Sequence, residues 1–510
     1  MKTYDVIIVG SGIGGLCCGS LLSLHGLKVL ICEAHTKPGG VAHSFERNGY
    51  KFESGPSLWS GLGRNPTNNP LGQILRLLNQ NVDLIKYKGW KVLFPETHFD
   101  LEVGNNPFRN KIKNLRGEDS LKEWDKFISS VKPLSNIVNN IPLLASSPQN
   151  LNLFEGLDLA RKILPNINQA FKLTKSFGYL VDENLNDPFL RNWVDLLSFL
   201  ISGLPMHDTN TAAMATLFSE WFEPEAYLEY PRGGSETIVN ALVQGFKNNG
   251  GDLLLSSRVK EIKFTNSVAS GVVLEKGLAF SAKNIVTNCD IWNTFKLLPN
   301  GITKKFKSKT HNPQKCDSFL HIHLGFDAKD LNNLPIHTIY VDNWARGVSA
   351  ERNIAVFSIP SVLDCSMAPK GKHVLHGYTP ANEPWEIWKN ISRDSKAYQK
   401  LKETRCSIFI NSLKKFIPDI EERIEFKMLG TPLTHQRFTN TEQGSYGPAI
   451  SASKSLFPNS RTPIKNFYTC GASTFPGIGI PAVAASGAYA AEAIIGKKNY
   501  KRLISPIISS

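Results

Sequence analysis

The chain has 510 residues, enough for two or three domains with full hydrophobic cores. Apolar residues make up 41% and charged residues 20%, as in ordinary globular proteins, which excludes disorder as the general state of the chain. Lysine and arginine number 58 against 44 acidic residues, and this formal charge of +14 favours anionic surfaces. No known nucleic-acid-binding module accompanies the charge, so we expect no nucleic acid partner.

The first forty residues have the pattern of a nucleotide-binding βαβ unit. The apolar run Val6–Val9 predicts a strand, and Leu16–His25 predicts the helix that follows. Between them Gly10, Gly12 and Gly15 stand in G-x-G-x-x-G spacing. In such a turn the first glycine makes the tight bend, the second lets the main chain approach a pyrophosphate, and the third lets the helix lie close to the strand.

A second predicted strand, Lys28–Cys32, ends at the acidic residue Glu33. An acidic side chain about twenty residues after the glycine turn accepts hydrogen bonds from both ribose hydroxyls of an adenosine, and it repels a 2′-phosphate. Strand, turn, helix, second strand and terminal acid together predict a dinucleotide-binding unit.

Helical periodicity dominates between Leu121 and Gly203, and we interpret this stretch as a helical insertion between pieces of the nucleotide domain. Its many large apolar side chains have two interpretations, an ordinary core or the lining of a long apolar tunnel or membrane-dipping entrance. These side chains, with their neighbours just beyond, are Phe154, Phe171, Phe177, Phe189, Trp193, Phe199, Phe218, Trp221 and Phe222.

Further along the chain, Tyr230–Thr237 predicts the start of a helix that runs to Asn248, and the residues from Asp252 to Ile262 predict a strand. After about residue 300 the pattern changes to strand alternation, and His321 and His323 share one face of a predicted strand. A pair of histidines in H-x-H spacing can bind a metal, but no third ligand is near in sequence. We interpret them as imidazoles on the wetter face of a sheet and predict no metal site.

The chain closes with a predicted strand, Asn466–Ser473, a glycine-rich turn, Thr474–Pro481, and a helix of small residues, Ala482–Ile495. A turn that connects a strand to the N-terminus of a helix can bind a ligand group with partial negative charge. Taken alone, the segment is equally consistent with simple packing of a strand and a helix.

Further blocks carry a resemblance to a known family. Pro38–Phe45 with Gly49–Pro56 resembles the second half of a flavin-binding motif, and Ser473–Gly479 resembles the terminal signature of the carotenoid desaturase and isomerase family of FAD enzymes. Gly430–His435 and Gly444–Pro448 resemble that family's penultimate block. The resemblance covers nearly the whole chain and implies FAD as cofactor. It also implies an α/β fold, with a Rossmann-like FAD-binding domain of the glutathione reductase type and a discontinuous α+β substrate domain that carries the helical insertion.

The implied FAD-binding domain consists of residues 1–75, 226–300 and 440–510, and the substrate domain of residues 76–225 and 301–439. The family's flavin-binding positions correspond to Gly10, Gly12, Gly15, Glu33, Gly39, Gly40, Val259, Gly471, Ala472, Gly477, Ile478 and Pro481. Many flavoproteins have aspartate where this chain has Ala472, so one polar anchor for the cofactor is missing. Tyr446 and His435 are expected near the flavin, and we expect each to be structural or to position substrate rather than to carry a proton.

The resemblance implies cis–trans isomerisation or desaturation of a carotenoid or similar polyene. Two alternatives stay open: an amine-oxidase-like flavin oxidase of another small molecule, and a non-catalytic FAD-containing pigment-binding factor. We expect a peripheral protein on the cytoplasmic, inner face of a membrane, without a signal peptide, since the first strand begins near residue 4. The eight cysteines, without regular spacing, are expected to be buried thiols of a reducing compartment. The oligomeric state stays open.

Overall fold

The structure is a computed structural model, and it describes residues 2–55, 58–139, 167–223, 225–309, 313–452 and 457–508, with the single residues 144, 161 and 164. Parts of the predicted helical insertion, including Phe154, lie outside the described residues. The strands, numbered in chain order, are β1 (Thr3–Val9), β2 (Val29–Cys32), β3 (Ser44–Arg47), β4 (Tyr50–Glu53), β5 (Leu84–Tyr87), β6 (Gly89–Leu93), β7 (His98–Glu102), β8 (Leu228–Pro231), β9 (Asp252–Leu254), β10 (Val259–Thr265), β11 (Val268–Leu274), β12 (Ala279–Thr287), β13 (Gln314–Lys315), β14 (His321–Asp327), β15 (His337–Val341), β16 (Ile354–Ser358), β17 (Lys372–Tyr378), β18 (Ile424–Gly430), β19 (Pro448–Ala449) and β20 (Phe467–Thr469).

The α-helices connect these strands or pack on them, and most follow the apolar periodicity of the sequence. They comprise Ile13–Leu24, Pro70–Leu77, Asn105–Arg116, Glu118–Asn139, Ile167–Ala170, Phe177–Asn184, Pro188–Ser202, Thr211–Trp221, Ser235–Asn248, Ile291–Leu297, Asn300–Lys309, Lys396–Leu413, Ile420–Arg423, Pro432–Thr439, Ile480–Ile495 and Lys497–Ile508. Among the described residues, none of the helices combines the length and apolarity needed to cross a bilayer.

One large sheet is built from both ends of the chain. Its order is β10-β11-β12-β1-β2-β9, and β20 adds to β12. The pairs β12 with β1, β1 with β2, β2 with β9 and β12 with β20 are parallel, whereas β10, β11 and β12 form an antiparallel meander. The central strand β1 is almost completely buried, as expected for a parallel strand covered on both faces. This confirms the predicted α/β fold with a Rossmann-like sheet.

A second sheet of seven strands has the order β18-β14-β17-β16-β15-β6-β7. Its pairs are antiparallel except β15 with β6, which is parallel. The helix Lys396–Leu413 packs on one face of this sheet, where Leu320, Phe357 and Phe409 belong to one buried apolar cluster. Strands β14 and β17 lie in the middle of the sheet, so neither can have an open edge.

Aromatic side chains of the helical segment form a densely packed core. Trp124 lies 4.7 Å from Phe108 and 5.5 Å from Phe127 between ring centroids, and Phe218 and Phe222 stack at 4.6 Å. Of the aromatic residues predicted for core or tunnel, Phe177, Phe189, Trp193, Phe199 and Phe218 are buried. Phe171 is instead 52% exposed. The core interpretation therefore holds for these five side chains.

Several expectations from the sequence are wrong in detail. Tyr230 and Pro231 end strand β8 and do not begin a helix, because they pair with Leu84 and Ile85 of β5. The single strand expected between residues 252 and 262 is two strands on opposite edges of the large sheet. Cys365 is exposed, in contrast to the other seven cysteines.

The expectation for His321 and His323 is also wrong. Neither histidine lies on a wet face, since their exposed fractions are only 4% and 6%. Strand β14 is flanked by β17 and β18 and covered on both faces, so alternation along it does not distinguish a wet face from a dry one.

Candidate cofactor and active site

The N-terminal glycine turn has the close contacts that only glycines permit. Gly10 has φ +97°, in the left-handed region that disfavours side chains. A Cβ atom placed on Gly15 would lie 2.2 Å from the Gly10 carbonyl oxygen, and one on Gly12 would lie 2.7 Å from Nδ2 of Asn288. Gly12 begins the helix Ile13–Leu24 without a side-chain cap. The turn therefore leaves a helix N-terminus free for an anionic group.

Glu33 is tied to this turn. Its Oε2 accepts hydrogen bonds from the backbone N–H of Ser11 (2.8 Å) and from the Ser11 hydroxyl (2.7 Å), and its Oε1 accepts one from the backbone N–H of His35 (2.7 Å). The side chain is buried, and the N–H of Ser257 donates to the Glu33 carbonyl at 2.7 Å. Ser257 leads into β10, so Val259 at the start of that strand follows the segment hydrogen-bonded to Glu33.

The second glycine pair closes on the first turn. Gly39 and Gly40 have φ values of +110° and +62°, which favour glycine. The backbone N–H of Gly39 donates to the Ser11 carbonyl at 3.0 Å, and a Cβ on Gly40 would lie 3.2 Å from the Cα of Gly12. The segment Pro38–Phe45, which resembles part of a flavin-binding motif, is therefore in direct contact with the N-terminal glycine turn.

The C-terminal glycine segment packs against the N-terminal glycine turn, although the two are more than four hundred residues apart in sequence. A Cβ on Gly14 would lie 3.0 Å from the backbone nitrogen of Gly471, and a Cβ on Gly487 would lie 2.3 Å from the Gly14 carbonyl oxygen. The N-terminal helix and the helix Ile480–Ile495 thus pack backbone against backbone. The half-buried Ala472 follows Gly471 directly.

The glycine-rich loop before this last helix lies next to the penultimate block. Gly477 has φ +120°, and a Cβ on Gly447 would lie 2.8 Å from Cδ1 of Ile478. Gly479 caps the helix without a side-chain hydrogen bond, and Pro481 occupies its first turn. A second uncapped helix N-terminus is therefore directed at the region that the resemblance assigns to the flavin ring.

The glycine segments around Gly12, Gly40 and Gly471 contact one another and form what we call the cofactor cradle. One residue at its centre was missed by sequence reasoning. Asn288 follows β12, and its backbone N–H donates to the Val9 carbonyl at 2.9 Å. Its side chain lies within contact distance of hypothetical Cβ atoms on Gly12, Gly14 and Gly471. The sequence around Asn288 predicts no distance to the glycine turns, because strand β12 reaches β1 only through long-range pairing.

Tyr446 and His435, the two residues expected near the flavin, both lie beside Phe319; His435 is buried, whereas Phe319 and Tyr446 are half-buried. His435 packs on Phe319 with ring centroids 3.8 Å apart, and Phe319 lies 5.9 Å from the ring of Tyr446. The Tyr446 hydroxyl donates to the Leu200 carbonyl at 2.9 Å. Burial raises the pKa of Tyr446 far above its usual value and lowers the pKa of His435 to about 3. Both groups are therefore neutral at physiological pH.

Glu53, which sequence reasoning also missed, is a buried carboxyl group at the end of β4. Glu53 is 1% exposed and accepts hydrogen bonds from the Tyr230 hydroxyl at 2.7 Å and from the backbone N–H of Ser235 at 2.9 Å. A Cβ on Gly234 would lie 2.7 Å from its Oε1. Burial raises the pKa of Glu53, which the hydrogen bonds only partly offset.

Two Rossmann-type features, the glycine turn with its acidic partner and the returning C-terminal strand and helix, define a dinucleotide-binding oxidoreductase. The residues present fit FAD, because three glycine segments pack backbone against backbone at the uncapped N-terminus of the helix Ile13–Leu24, where a pyrophosphate would be bound. The family model described as flavin containing amine oxidoreductase matches residues 13–495. The chain belongs to this family, and its cofactor is FAD.

Relatives cover nearly all of the chain. Prolycopene isomerase 2, chloroplastic, from an Oncidium hybrid cultivar is 31% identical over 529 aligned residues, which span 98% of this chain and 85% of the relative. Phytoene desaturase (lycopene-forming) from Pantoea ananas is 24% identical, with 94% and 96% of the two chains covered. A putrescine oxidase double mutant of known structure superimposes with a TM-score of 0.63 at 16% identity, covering 100% of both chains, which supports the fold.

Proposed function

We propose that this FAD-dependent oxidoreductase acts on a carotenoid or a similar polyene, and that its reaction is cis–trans isomerisation. The observation that carries the proposal is the uncharged wall beside the C-terminal glycine loop. Ile478 of that loop touches Gly447, and the adjoining Tyr446 leads to Phe319 and His435. Aromatic rings, a neutral imidazole and an aliphatic side chain suit a long apolar chain without ionisable groups.

FAD, when bound, supplies reversible electron transfer, which side chains alone cannot provide to a polyene. The N–H groups at the start of the helix Ile13–Leu24 would hold the pyrophosphate, and Glu33 would accept from the adenosine ribose. The N-terminus of the helix Ile480–Ile495 would stabilise negative charge on the ring system. Ala472 offers no polar side-chain atom to the ribityl chain, so we expect FAD affinity to depend on the glycine segments and on Glu33.

The protein's own part in the reaction is positioning and exclusion of water. Tyr446 keeps its proton, because its hydroxyl is committed to the Leu200 carbonyl and its pKa is raised by burial. His435 is uncharged and packs on Phe319 with the two ring planes tilted by 41°. Both side chains therefore hold the substrate against the cofactor rather than exchange protons, which suits isomerisation better than a reaction that requires a base.

Desaturation is the second candidate, and the 24% identity to phytoene desaturase from Pantoea ananas supports it. Isomerisation is favoured by the higher identity, 31%, to prolycopene isomerase 2. The two reactions differ in hydrogen balance, since isomerisation leaves the number of double bonds unchanged and desaturation removes two hydrogens for each new double bond.

Flavin-loaded protein incubated anaerobically with a poly-cis carotene, with the cofactor oxidised in one sample and reduced in another, tests the proposal. Chromatography and absorption spectra of the extracted pigment should show a trans product with the mass of the starting material. A product lighter by two hydrogens would establish desaturation. An unchanged pigment under both conditions, for several cis-carotenes, would refute action on carotenoids.

We also propose that the protein binds peripherally to the cytoplasmic face of a membrane. Phe171 is 52% exposed and Tyr179 44% exposed, and the Lys175 ammonium lies 4.9 and 5.1 Å from their ring centroids. Exposed aromatic rings next to a cation suit the interface of an anionic bilayer. Sedimentation with vesicles containing anionic lipid should carry the protein down, and the double variant Phe171→Ala, Tyr179→Ala should sediment less. Equal sedimentation of both proteins would contradict this surface.

A further inference from the structure

Four histidines cluster on one face of the seven-stranded sheet. Antiparallel register places His323 of β14 directly opposite His376 of β17, with ring centroids 4.8 Å apart and nearly parallel planes. His321, two residues earlier on β14, lies 4.7 Å from His376. His435, from the helix Pro432–Thr439, covers His321 at 4.4 Å. The third imidazole is not near the other two in sequence. It comes from His376 on the neighbouring strand β17.

The four imidazole rings are buried. The exposed fractions of His321, His323, His376 and His435 are 4%, 6%, 2% and 8%. Burial lowers the pKa of His323 to about 4 and that of His435 to about 3, and it lowers the other two well below the usual value. Metals bind the neutral form of an imidazole, and burial of this extent disfavours the charged form.

The hydrogen bonds leave particular nitrogens available. The Nε2–H of His323 donates to the Glu53 carbonyl at 3.0 Å, which leaves its Nδ1 as an unprotonated acceptor. A ring nitrogen that donates to a backbone carbonyl while the other binds the ion is the usual arrangement of metal-binding histidines. The Nε2 of His376 and the Nδ1 of His321 share a hydrogen bond of 2.9 Å.

Three buried nitrogens of the cluster have no hydrogen-bond partner within the described part of the chain: Nδ1 of His323, Nδ1 of His376 and Nε2 of His435. A buried polar atom without a partner destabilises the fold. Nδ1 of His323 gains a partner if an ion occupies the space between the rings.

The distances fit a single ion. One nitrogen each from His321, His323 and His376 lies within 4.8 Å of the other two. Imidazole nitrogens that bind one zinc ion tetrahedrally at about 2.1 Å are separated by about 3.4 Å, so shifts of roughly 1 Å would close the set. An ion between His321 and His376 would replace their mutual hydrogen bond.

We propose that His321, His323 and His376 bind one divalent first-row transition-metal ion of the class that prefers imidazole, with zinc(II) as the probe. Three neutral nitrogen ligands leave a fourth position open, as in catalytic rather than structural zinc sites. His435 packs on the ring of His321. The proposal does not depend on the carotenoid reaction, because it concerns the metal content of the protein.

The test uses the full chain without an affinity tag, stripped with a chelator and titrated with zinc(II) against a chromogenic competitor. His323→Gln is a sharp variant, since the glutamine amide can keep the bond to the Glu53 carbonyl while the Nδ1 ligand is lost. His376→Gln removes the ligand on β17. The matched control is His337→Gln in the same sheet, because His337 is equally buried but has the Tyr87 hydroxyl at 2.6 Å and the Ser358 hydroxyl at 2.8 Å as partners.

We expect one zinc ion per chain in the wild type and in His337→Gln. We expect the zinc affinity of His323→Gln and of His376→Gln to be at least about 100-fold lower than that of the wild type. Loss of a hydrogen-bond partner of a metal ligand alone lowers metal affinity about 10–100-fold, and these variants lose a ligand itself. Zinc should also raise the melting temperature of the stripped wild type but not of His323→Gln. The proposal is overturned if the wild type binds no zinc, or if both ligand variants bind it as tightly as the control.

X-ray absorption of the zinc-loaded wild type is the second measurement, and it does not require any variant to fold. Scattering from about three imidazole rings is expected. A signal with one ring or none, as for an ion held at the protein surface, would also overturn the proposal.

Discussion

The contact between the helices Ile13–Leu24 and Ile480–Ile495 can be tested by adding one methyl group. Gly487→Ala places a Cβ atom 2.3 Å from the Gly14 carbonyl oxygen and 3.0 Å from the backbone nitrogen of Cys18. Ordinary contact begins at 3.4 Å, so the helices must separate by about 1 Å. Overpacking of this kind costs about 1–3 kcal/mol, and the better helix propensity of alanine returns up to about 1 kcal/mol.

We therefore expect Gly487→Ala to lower the free energy of unfolding by about 1–2 kcal/mol in urea titrations. FAD affinity should fall about tenfold, because the displacement acts on Gly14 within the cradle and 1.4 kcal/mol corresponds to a factor of ten. Affinity is measured by flavin fluorescence during titration of the stripped protein.

The matched control is Gly301→Ala, in the helix Asn300–Lys309, where an added Cβ meets no described atom within 4 Å. It should gain up to about 1 kcal/mol of stability and keep the wild-type FAD affinity. If Gly487→Ala behaves like this control, the chain ends do not pack as described and the reasoning is refuted.

Three other predictions follow from single contacts. Glu33→Ala should lose most bound FAD and cost about 1–3 kcal/mol, because two N–H groups and the Ser11 hydroxyl lose their acceptor; full flavin retention on gel filtration would contradict this. Tyr446→Phe should keep most activity and lose about 1 kcal/mol of stability, since only the bond to the Leu200 carbonyl is removed; an inactive but folded variant would show that the hydroxyl takes part in the reaction. Burial lowers the pKa of His337 to about 3, so its contribution to the free energy of unfolding is complete above the unfolded pKa of 6.5 and is lost as the pH falls below that value. Between about pH 7 and pH 5 the free energy of unfolding of the wild type should fall by about 2 kcal/mol more than that of His337→Gln. Parallel pH profiles of unfolding for the two proteins would refute this.

Local sequence patterns predicted the parts of the fold that depend on local geometry. The G-x-G-x-x-G spacing placed the turn after β1 correctly, because tight backbone contacts such as that between Gly15 and the Gly10 carbonyl require glycine wherever they occur. The FAD assignment and the α/β fold, which came from the resemblance of several blocks, are confirmed. The domain boundaries and the individual cofactor contacts stay predictions.

Features that depend on distant pairing were not predictable. The face of β14 could not be inferred from alternation, because His321 is covered by His435 and His323 by Phe45 and Phe52, whose positions no local pattern gives. His376 joins them only through strand register, and Asn288 enters the cradle only because β12 lies beside β1. Tyr230 and Pro231 were assigned to a helix because the following Gly233–Thr237 resembles a helix start, whereas pairing with β5 extends them as a strand.

The central claim is that the two ends of the chain build one FAD site. A crystal structure of the flavin-loaded full chain tests it most directly. We predict that the pyrophosphate is bound by N–H groups at the start of the helix Ile13–Leu24 while the ring system lies against Gly477–Pro481. A cofactor that contacts only one of these two segments would contradict the account.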